Sequence, residues 1–563
     1  MDMFPSPPTP MSASSQSDID KALVRLQDHK NDWHQLSPLK KAVLLEECIT
    51  EAQTLTEEWI ASSCRAKGIL RGSPDEGEEW IGAFMPFVRN LRLLAHTLRK
   101  NGQPMLPKTY QRPNGQWVAK VFPFDLKEKL MYMGFDAEVW IKEGHGIEQG
   151  SLYKNPPKEG KVCLVLGAGN QGSIGPMDCL YKLFMDGEVC ILKMNPVNDY
   201  LGPYIVRIFR PLIELNFITV VYGGVEEGKY LCNHKDVESI HITGSDKTFD
   251  AIVFGTGEEG IKNKTEGKIQ NERPITSELG CVSPILIVPG DWKESELEYQ
   301  ARHIASMVTH NASFNCNAGK IVVFAKEWPL KEKLKERIAF HLQKKGNRKA
   351  YYPGAQDRYE KFISRYRTEV CGTVREDEPV IPWTILHDVP AKKDEYALTQ
   401  EAFCGVIAFT EVDSVGIDEY MDNTLQLCND DIWGSLSINI LISPQSEGFL
   451  GKRFDDFIEK LEYGGIAINC WSGVIYGLCT TSWGAFPKHD VTDIQSGSGV
   501  VHNTYLLENV QKSVVRAPFV LSPTPAWFYD NKNLVGLGKR LLAFEAKTST
   551  LNFIRLLAQA VRG

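Results

Sequence analysis

KVCLVLGAGNQGSIGPMDCLYKLFMDGEVCILKMN, residues 161–195, decides the fold. An unbroken apolar run, a glycine-rich turn, a helix-length stretch and a second apolar run follow one another. Apolar runs this short, without polar alternation and separated by a helical pattern, read as neighbouring strands of a parallel sheet covered on both faces. The alternation continues through DYLGPYIVRIFRPLIELN (199–216), ITVVYGG (218–224), EEGKYLCNH (226–234) and ESIHITG (238–244). It resumes with SPILIVPG (283–290), ELEYQARHIASMVTH (296–310), KIVVFAKE (320–327) and the basic helix KEKLKERIAFHLQKKG (331–346), whose charges read as a solvated face. Right-handed βαβ units therefore build two α/β domains, the first of Rossmann type.

Upstream, residues 18–67 carry apolar positions at three- and four-residue intervals, and Ser37-Pro38 marks a helix start. A further helix is expected over EEWIGAFMPFVRNLRLLAHTLRKNG (78–102), stopping at Gly102. Residues 1–17, rich in Pro and Ser, are expected to be disordered. NGQW, FPFD, AEVWIKEG and GSLYKNPPKEG, within 103–160, read as short strands and turns. The division is thus 18–135 as a helical part attached to the first α/β domain, 136–160 as a hairpin, 161–275 as the first α/β domain and 276–485 as the second. Residues 486–519 form a returning strand region and 520–563 a helical extension.

Composition narrows the function. The 563 residues carry a net charge of −8, and no basic stripe interleaved with aromatics appears, so a nucleic-acid partner is not expected. The apolar runs are too short to cross a bilayer. MDMFPSPPTPMSASSQSD lacks the basic start and apolar core of a secretory signal. Thirteen cysteines are scattered without paired CxxC spacing, which argues against a metal framework and for a reducing, cytoplasmic setting.

Two candidate sites stand out. Gly167-x-Gly169-x-x-Gly172 follows a strand and precedes a helix, as in a dinucleotide fingerprint. The acidic residue expected about 20 positions on is missing: the next strand ends in Lys193-Met194-Asn195-Pro196, and Glu188 lies at its beginning. The loop is either an atypical Rossmann turn or has another job. The second candidate is TSELGCVSPILIVPG (276–290) with NASFNCNAGK (311–320), offering the carboxylate Glu278 and the thiol Cys316. Brought together, a sulfur nucleophile and a carboxylate base suit acyl-transfer chemistry.

These segments together resemble the aldehyde dehydrogenase superfamily from about residue 20 to about 518. The family's E-L-G-G-K-S-P is matched by Glu278-Leu279-Gly280-Cys281-Val282-Ser283-Pro284, and its C-x-A-G-S/R by Cys316-Asn317-Ala318-Gly319-Lys320. F-T-G-S is matched by Ile242-Thr243-Gly244-Ser245, the preceding Gly-x-x-x-Gly by Gly224 and Gly228, and E-x-F-G-P-V by Glu401-Ala402-Phe403-Cys404-Gly405-Val406. The family's asparagine and the lysine 23 residues later fall on Asn170 and Lys193. The departures are Cys281 and Val282 in the glutamate turn, GAGNQG in place of P-W-N-F-P, and Pro196 where NAD-preferring members often carry a glutamate.

The resemblance implies an NAD- or NADP-dependent oxidation of a small-molecule aldehyde. Cys316 is the implied nucleophile, Glu278 the base that activates water and Asn170 an oxyanion donor. Lys193 would hold the adenosine ribose, Gly224, Gly228, Gly244 and Ser245 the phosphates, and Glu401 and Phe403 the nicotinamide side. Trp471, Tyr476 and Trp483, within 468–486, read either as an apolar tunnel wall or as core. The segments 500–519 and 136–155 resemble the strand and hairpin through which members pair subunits, implying a homodimer or homotetramer. Residues 520–563 exceed the usual family length and read as a helix packed on a subunit, at a membrane surface or over the substrate mouth. Two rivals stay open: an acylating enzyme passing a thioester to CoA, from which Glu278 would usually be missing, and a non-catalytic binding protein on the same fold.

Overall fold

The two apolar runs of 161–195 pair in parallel in the computed structural model, which describes residues 4–372 and 379–562, from Lys161 opposite Glu188 to Leu166 opposite Lys193. Val162–Val165 and Val189–Leu192 are fully buried, as a parallel sheet clad in helices on both faces requires. The sheet has six strands in the order Gly497–Ser498, Ile275–Glu278, Ser239–Thr243, Lys161–Leu166, Glu188–Lys193, Ile218–Val221. All but the first run parallel. Strand order reverses between Ser239–Thr243 and Lys161–Leu166, and a crevice at the carboxyl ends of such strands is where open α/β sheets bind ligands.

A second sheet of eleven strands carries the catalytic half. Its centre is parallel: Val510–Arg516, Gly465–Ile468, Ser437–Leu441, Pro284–Ile287, Ile321–Ala325, Val406–Val412 and Trp383–Pro390. Antiparallel strands flank it, Lys108–Gln111, Trp117–Phe122 and Asp136–Ile141 at one end and Arg367–Cys371 at the other. The pairing expected between subunits is therefore made within one chain. Val510–Arg516 is bonded on one side to Gly465–Ile468 and on the other to Asp136–Ile141, and has no free edge. The boundary drawn at residue 135 also shifts, because 108–122 are strands of this sheet and not part of the helical region.

Sequence and structure differ locally for identifiable reasons. The helix expected from 78 to 102 widens to a π-helical stretch over Glu79–Phe84 before resuming at Met85–Leu98. Pro86 has no N–H to give Gly82, and Met85 bonds five residues back to Trp80. GSLYKN makes a helical turn, Ser151–Lys154, and not a strand. The N-terminal segment expected to be disordered is tied down from Met11, whose N–H meets Asp199 Oδ2 at 3.1 Å. Ser14 exchanges bonds with Tyr222, and Ser15 caps a helix that opens at Gln16.

The C-terminal extension folds as Leu534–Ala546 and Thr550–Ala560 and packs on the chain's own N-terminal helices. Approach is close enough that a Cβ on Gly538 would lie 2.5 Å from Trp80 Cβ, and one on Gly77 2.4 Å from Leu534 Cγ. Glu545 is fully buried and bonds Arg89 Nη1 at 2.7 Å and Arg92 Nε at 3.0 Å. Arg89 also grips Glu128 at 2.5 Å and the Leu478 carbonyl at 2.8 Å, knitting together three distant segments. Among the described residues no helix is long and apolar enough to cross a membrane.

Burial alone would raise the Glu545 carboxyl, but Arg89 and Arg92 outweigh it and hold it below the usual range. Its contribution is present above the ordinary carboxylate pKa and is lost as pH falls through the depressed folded value. Glu545→Ala leaves two guanidinium groups facing an uncompensated pocket. It is expected to cost about 3–5 kcal/mol in urea unfolding at neutral pH.

Candidate active site

Cys316 stands on a loop bent by three successive residues in the left-handed region: Asn311 (φ 53), Ala312 (φ 54) and Ser313 (φ 66). Non-glycine residues rarely adopt this conformation singly, so the loop is strained and must be held by its surroundings. Asn311 does the holding. Its N–H meets Glu78 Oε2 at 2.9 Å, and its side-chain oxygen accepts from Lys67 and from the Tyr351 hydroxyl, both at 3.0 Å. Its amide donates to the Asn170 and Phe314 carbonyls and to Asn315 Oδ1. On the far side of the thiol, Lys320 donates to the carbonyls of Asn315, Cys316 and Ala318 at 2.9, 3.3 and 3.1 Å and pairs with Glu401 at 3.3 Å. Of the thirteen thiols twelve are buried, and Cys316 alone is partly exposed.

Glu278 ends the strand Ile275–Glu278, its side chain buried and Oε1 without a hydrogen-bond partner. Burial pushes its carboxyl up to about 8, with Asp178 adding to the shift and the neighbouring Cys316 and Trp483 opposing it. Asp178 is itself buried beside His241 Nε2 (3.6 Å) and His502 Nε2 (3.9 Å) and accepts from Thr243 Oγ1 at 2.8 Å. The Cys316 thiol is driven well above its ordinary value by burial and by the charges of Glu278 and Glu401, with Lys320 working the other way. At neutral pH the pair therefore rests uncharged. Cys281 and Val282, the departures in this turn, are fully buried in the core. The Cys281 N–H points to Glu401 Oε1 at 3.4 Å.

The glycine-rich loop has the other job. A Cβ on Gly169 would lie 2.7 Å from Asn195 Oδ1, and one on Gly172 2.6 Å from Leu201 Cδ1, so these glycines serve close packing. What the loop presents is Asn170, whose Nδ2 donates to the Phe314 carbonyl at 3.0 Å, two residues before Cys316.

A cavity of about 920 Å³ runs from the nucleotide sheet to the thiol. Lys193, Gly224, Gly228, Gly244, Ser245, Glu401 and Phe403 all line it, together with Cys316, Glu278 and Asn170. The residues fit a dinucleotide. Lys193 ends its strand as a buried cation, its pKa lowered by burial against the pull of Glu227. A Cβ on Gly228 would meet nothing within 4 Å, which leaves backbone open to a ligand. Ser245 caps the helix Asp246–Val253, whose amino end suits phosphate. One expectation changes: the Gly244 N–H is taken by the Glu278 carbonyl at 3.1 Å, so Gly244 lends room and not a donor. Phe403, at φ 42, packs its ring 5.7 Å from Phe314 and 5.0 Å from Tyr352.

A second, apolar cavity of about 140 Å³ reaches Cys316, Glu278 and Asn170 from the opposite side. Trp471, Tyr476 and Trp483 do line it. Sequence reasoning missed Lys320, Asp178 and the tunnel residues contributed by distant segments. The basic residue in the cysteine segment was the available signal for Lys320, whereas Asp178 sits in a helix pattern that marks only its burial.

The model of the aldehyde dehydrogenase family matches residues 173–480, more than half of the chain. The chain belongs to the aldehyde dehydrogenase family. Among curated relatives of this family member, rat 4-trimethylaminobutyraldehyde dehydrogenase is 30% identical over 134 residues, 22% of this chain and 23% of that protein. The alignment thus spans less than a quarter of the relative's length. Solved structures align over nearly the whole chain. An aldehyde dehydrogenase from Mycobacterium tuberculosis complexed with NAD+ superposes with a TM-score of 0.62 at 14% identity, covering 92% of both chains. Succinic semialdehyde dehydrogenase from Streptococcus pyogenes, in complex with NADP+, gives 0.62 at 15% identity, covering 90% of this chain and 96% of that one.

Because the Glu278 charge holds the Cys316 thiol up, Glu278→Gln is expected to lower the thiol pKa. Alkylation of Cys316 by iodoacetamide at a fixed pH of about 9, where the Glu278 carboxyl is ionised, followed by peptide mass spectrometry, should become severalfold faster, with the twelve buried thiols unchanged.

Proposed function

We propose that this chain oxidises an aldehyde to its carboxylic acid with NAD or NADP, through a thioester on Cys316. One observation carries the reading: every catalytic and cofactor residue nominated from the sequence lines a single cavity, which meets at Cys316 an apolar one lined by Trp471, Tyr476 and Trp483. The Cys316 thiol gives its proton to the ionised form of the neighbouring Glu278 carboxylate, which passes it to solvent, and the resulting thiolate attacks the aldehyde carbon to form a tetrahedral thiohemiacetal. The Asn170 amide and the Cys316 backbone N–H hold the oxyanion, each such donor contributing about 3–4 kcal/mol. Lys193, Ser245, Glu401 and Phe403 hold the dinucleotide, which when bound supplies the hydride acceptor. Glu278 then takes a proton from water as the water attacks the thioester carbonyl, and collapse of that intermediate expels the Cys316 thiolate and frees the acid.

Glu278 argues against transfer to CoA, and the intact trio argues against a non-catalytic role. Pro196, where NAD-preferring members often carry a glutamate, lines the cavity with Lys193 and Lys229, two cations able to meet a 2′-phosphate, while Glu227 pulls on Lys193; this supports acceptance of both nucleotides. An assembly of two or four chains would use a surface other than Val510–Arg516, whose edges are both taken. Thirteen unpaired cysteines suit a reducing, cytosolic setting.

The test is an aldehyde panel with NAD or NADP, reading reduced nucleotide and released acid. Turnover is expected with either nucleotide without CoA and is abolished in Cys316→Ala. No turnover, or turnover only with CoA, sinks the reading. Since the Glu278 carboxyl must be ionised to act as base, acid release should rise with pH through about 8. Glu278→Gln should remove that limb and lower the rate by about 10²–10⁴.

A further inference from the structure

The C-terminal extension does more than pack. Trp527 and Leu541, together with Ile81, Met85 and Tyr132, complete the wall of the apolar cavity that ends at Cys316. The wall is pinned at both ends. On one side Tyr529 N–H donates to Ser306 Oγ at 3.0 Å, and Asp530 pairs with Arg302 through two 2.9 Å bonds. Phe528 stacks on His303, ring centroids 5.3 Å apart and 16° from parallel. Ser306, Arg302 and His303 all belong to the helix Glu294–Thr309 that leads into the thiol loop. On the other side Glu545 is locked to Arg89 and Arg92. Trp527, itself partly exposed, lies between, its ring 6.4 Å from Phe135 and 5.9 Å from His303.

We propose that residues 525–546 close the substrate tunnel as a permanent wall. Trp527 and Leu541 then restrict the enzyme to aldehydes whose tail carries no anionic group and is about the size of one aromatic ring. The assignment rests on the aldehyde-oxidising reading and names its substrate class. Size sets the upper limit, because the chamber measures about 140 Å³ and an apolar cavity of about 150 Å³ holds one benzene. Charge sets the second limit. Among the described residues no Lys, Arg or Asp lines the chamber, and burial lowers the lining His310 to about 4, so it is neutral. A carboxylate tail would find no cation there and would lose its hydration uncompensated.

The experiment uses the full chain with Cys316→Ala, so that binding is read without chemistry, titrated calorimetrically with benzaldehyde, decanal and succinic semialdehyde. Benzaldehyde is expected to bind about tenfold or more tightly than either of the others. Trp527→Ala, and separately Leu541→Ala in case the first variant folds poorly by circular dichroism, should shift the decanal-to-benzaldehyde affinity ratio about tenfold towards decanal. Decanal binding as tightly as benzaldehyde before the wall is opened, or a ratio unmoved in a folded variant, overturns the proposal. If Cys316-intact protein turns over no aldehyde while the ratios behave as expected, the tunnel assignment stands and the oxidation reading falls.

Discussion

The site depends on Asn311. Three consecutive non-glycine residues with positive φ, at about 1–3 kcal/mol each, would not persist on their own. They persist because one buried amide satisfies the Asn170 loop and the cysteine loop at once, while Lys67, Glu78 and Tyr351 hold it from behind. Glu78 is in turn paired with Arg348 and Lys345, and Lys67 with Glu79. The N-terminal helices, which supply neither nucleophile nor base, are thereby coupled to the position of the sulfur. A buried polar network of this kind has little tolerance for partial loss, since each unpaired member would carry its full desolvation penalty.

Electrostatics at the centre follows from the same crowding. Glu278 and Glu401 converge on the thiol, with Asp178 acting on Glu278 from behind, and Lys320, which opposes them, is also committed to three carbonyls. A charged carboxylate and a charged thiolate side by side in such a place repel, so each suppresses the other's ionisation. Ionising one while the other stays neutral is the accessible state. This matches a chemistry in which the sulfur acts first and the carboxylate later.

Much of this arrangement was legible in the sequence. Apolar runs and helical spacing marked most strands and helices, because burial on both faces leaves a pattern in the residues themselves. That Cys316, Glu278, Asn170 and Lys193 come together around one cavity was readable from motif and order. The glycine motif could mislead because close packing and phosphate binding both select glycine; only Asn195 and Leu201 pressed against Gly169 and Gly172 distinguish the two. The π-helical widening before Pro86 was written in the sequence as a proline within a helical pattern. The tunnel wall was legible only as an alternative to core packing at Trp471, Tyr476 and Trp483, and the parts supplied by Trp527 and Leu541 were not legible. Periodicity shows that Leu541 is buried but not against what, and Trp527 lies in a loop with no period at all.

The missing information is topological, and one strand supplies it. Val510–Arg516 lies in its own chain's sheet, between Gly465–Ile468 and Asp136–Ile141. The chain leaving that strand has only the short segment before Pro525 in which to travel. It therefore emerges beside the helix Glu294–Thr309, where Phe519 accepts from Gln300 at 2.6 Å and Tyr529 bonds Ser306. From there the extension can reach only its own tunnel and its own N-terminal helices, where Glu545 meets Arg89. Had the strand been lent to another subunit, the same residues would have closed the other subunit's tunnel. Closing the sheet in cis and walling the tunnel in cis are consequences of one strand placement.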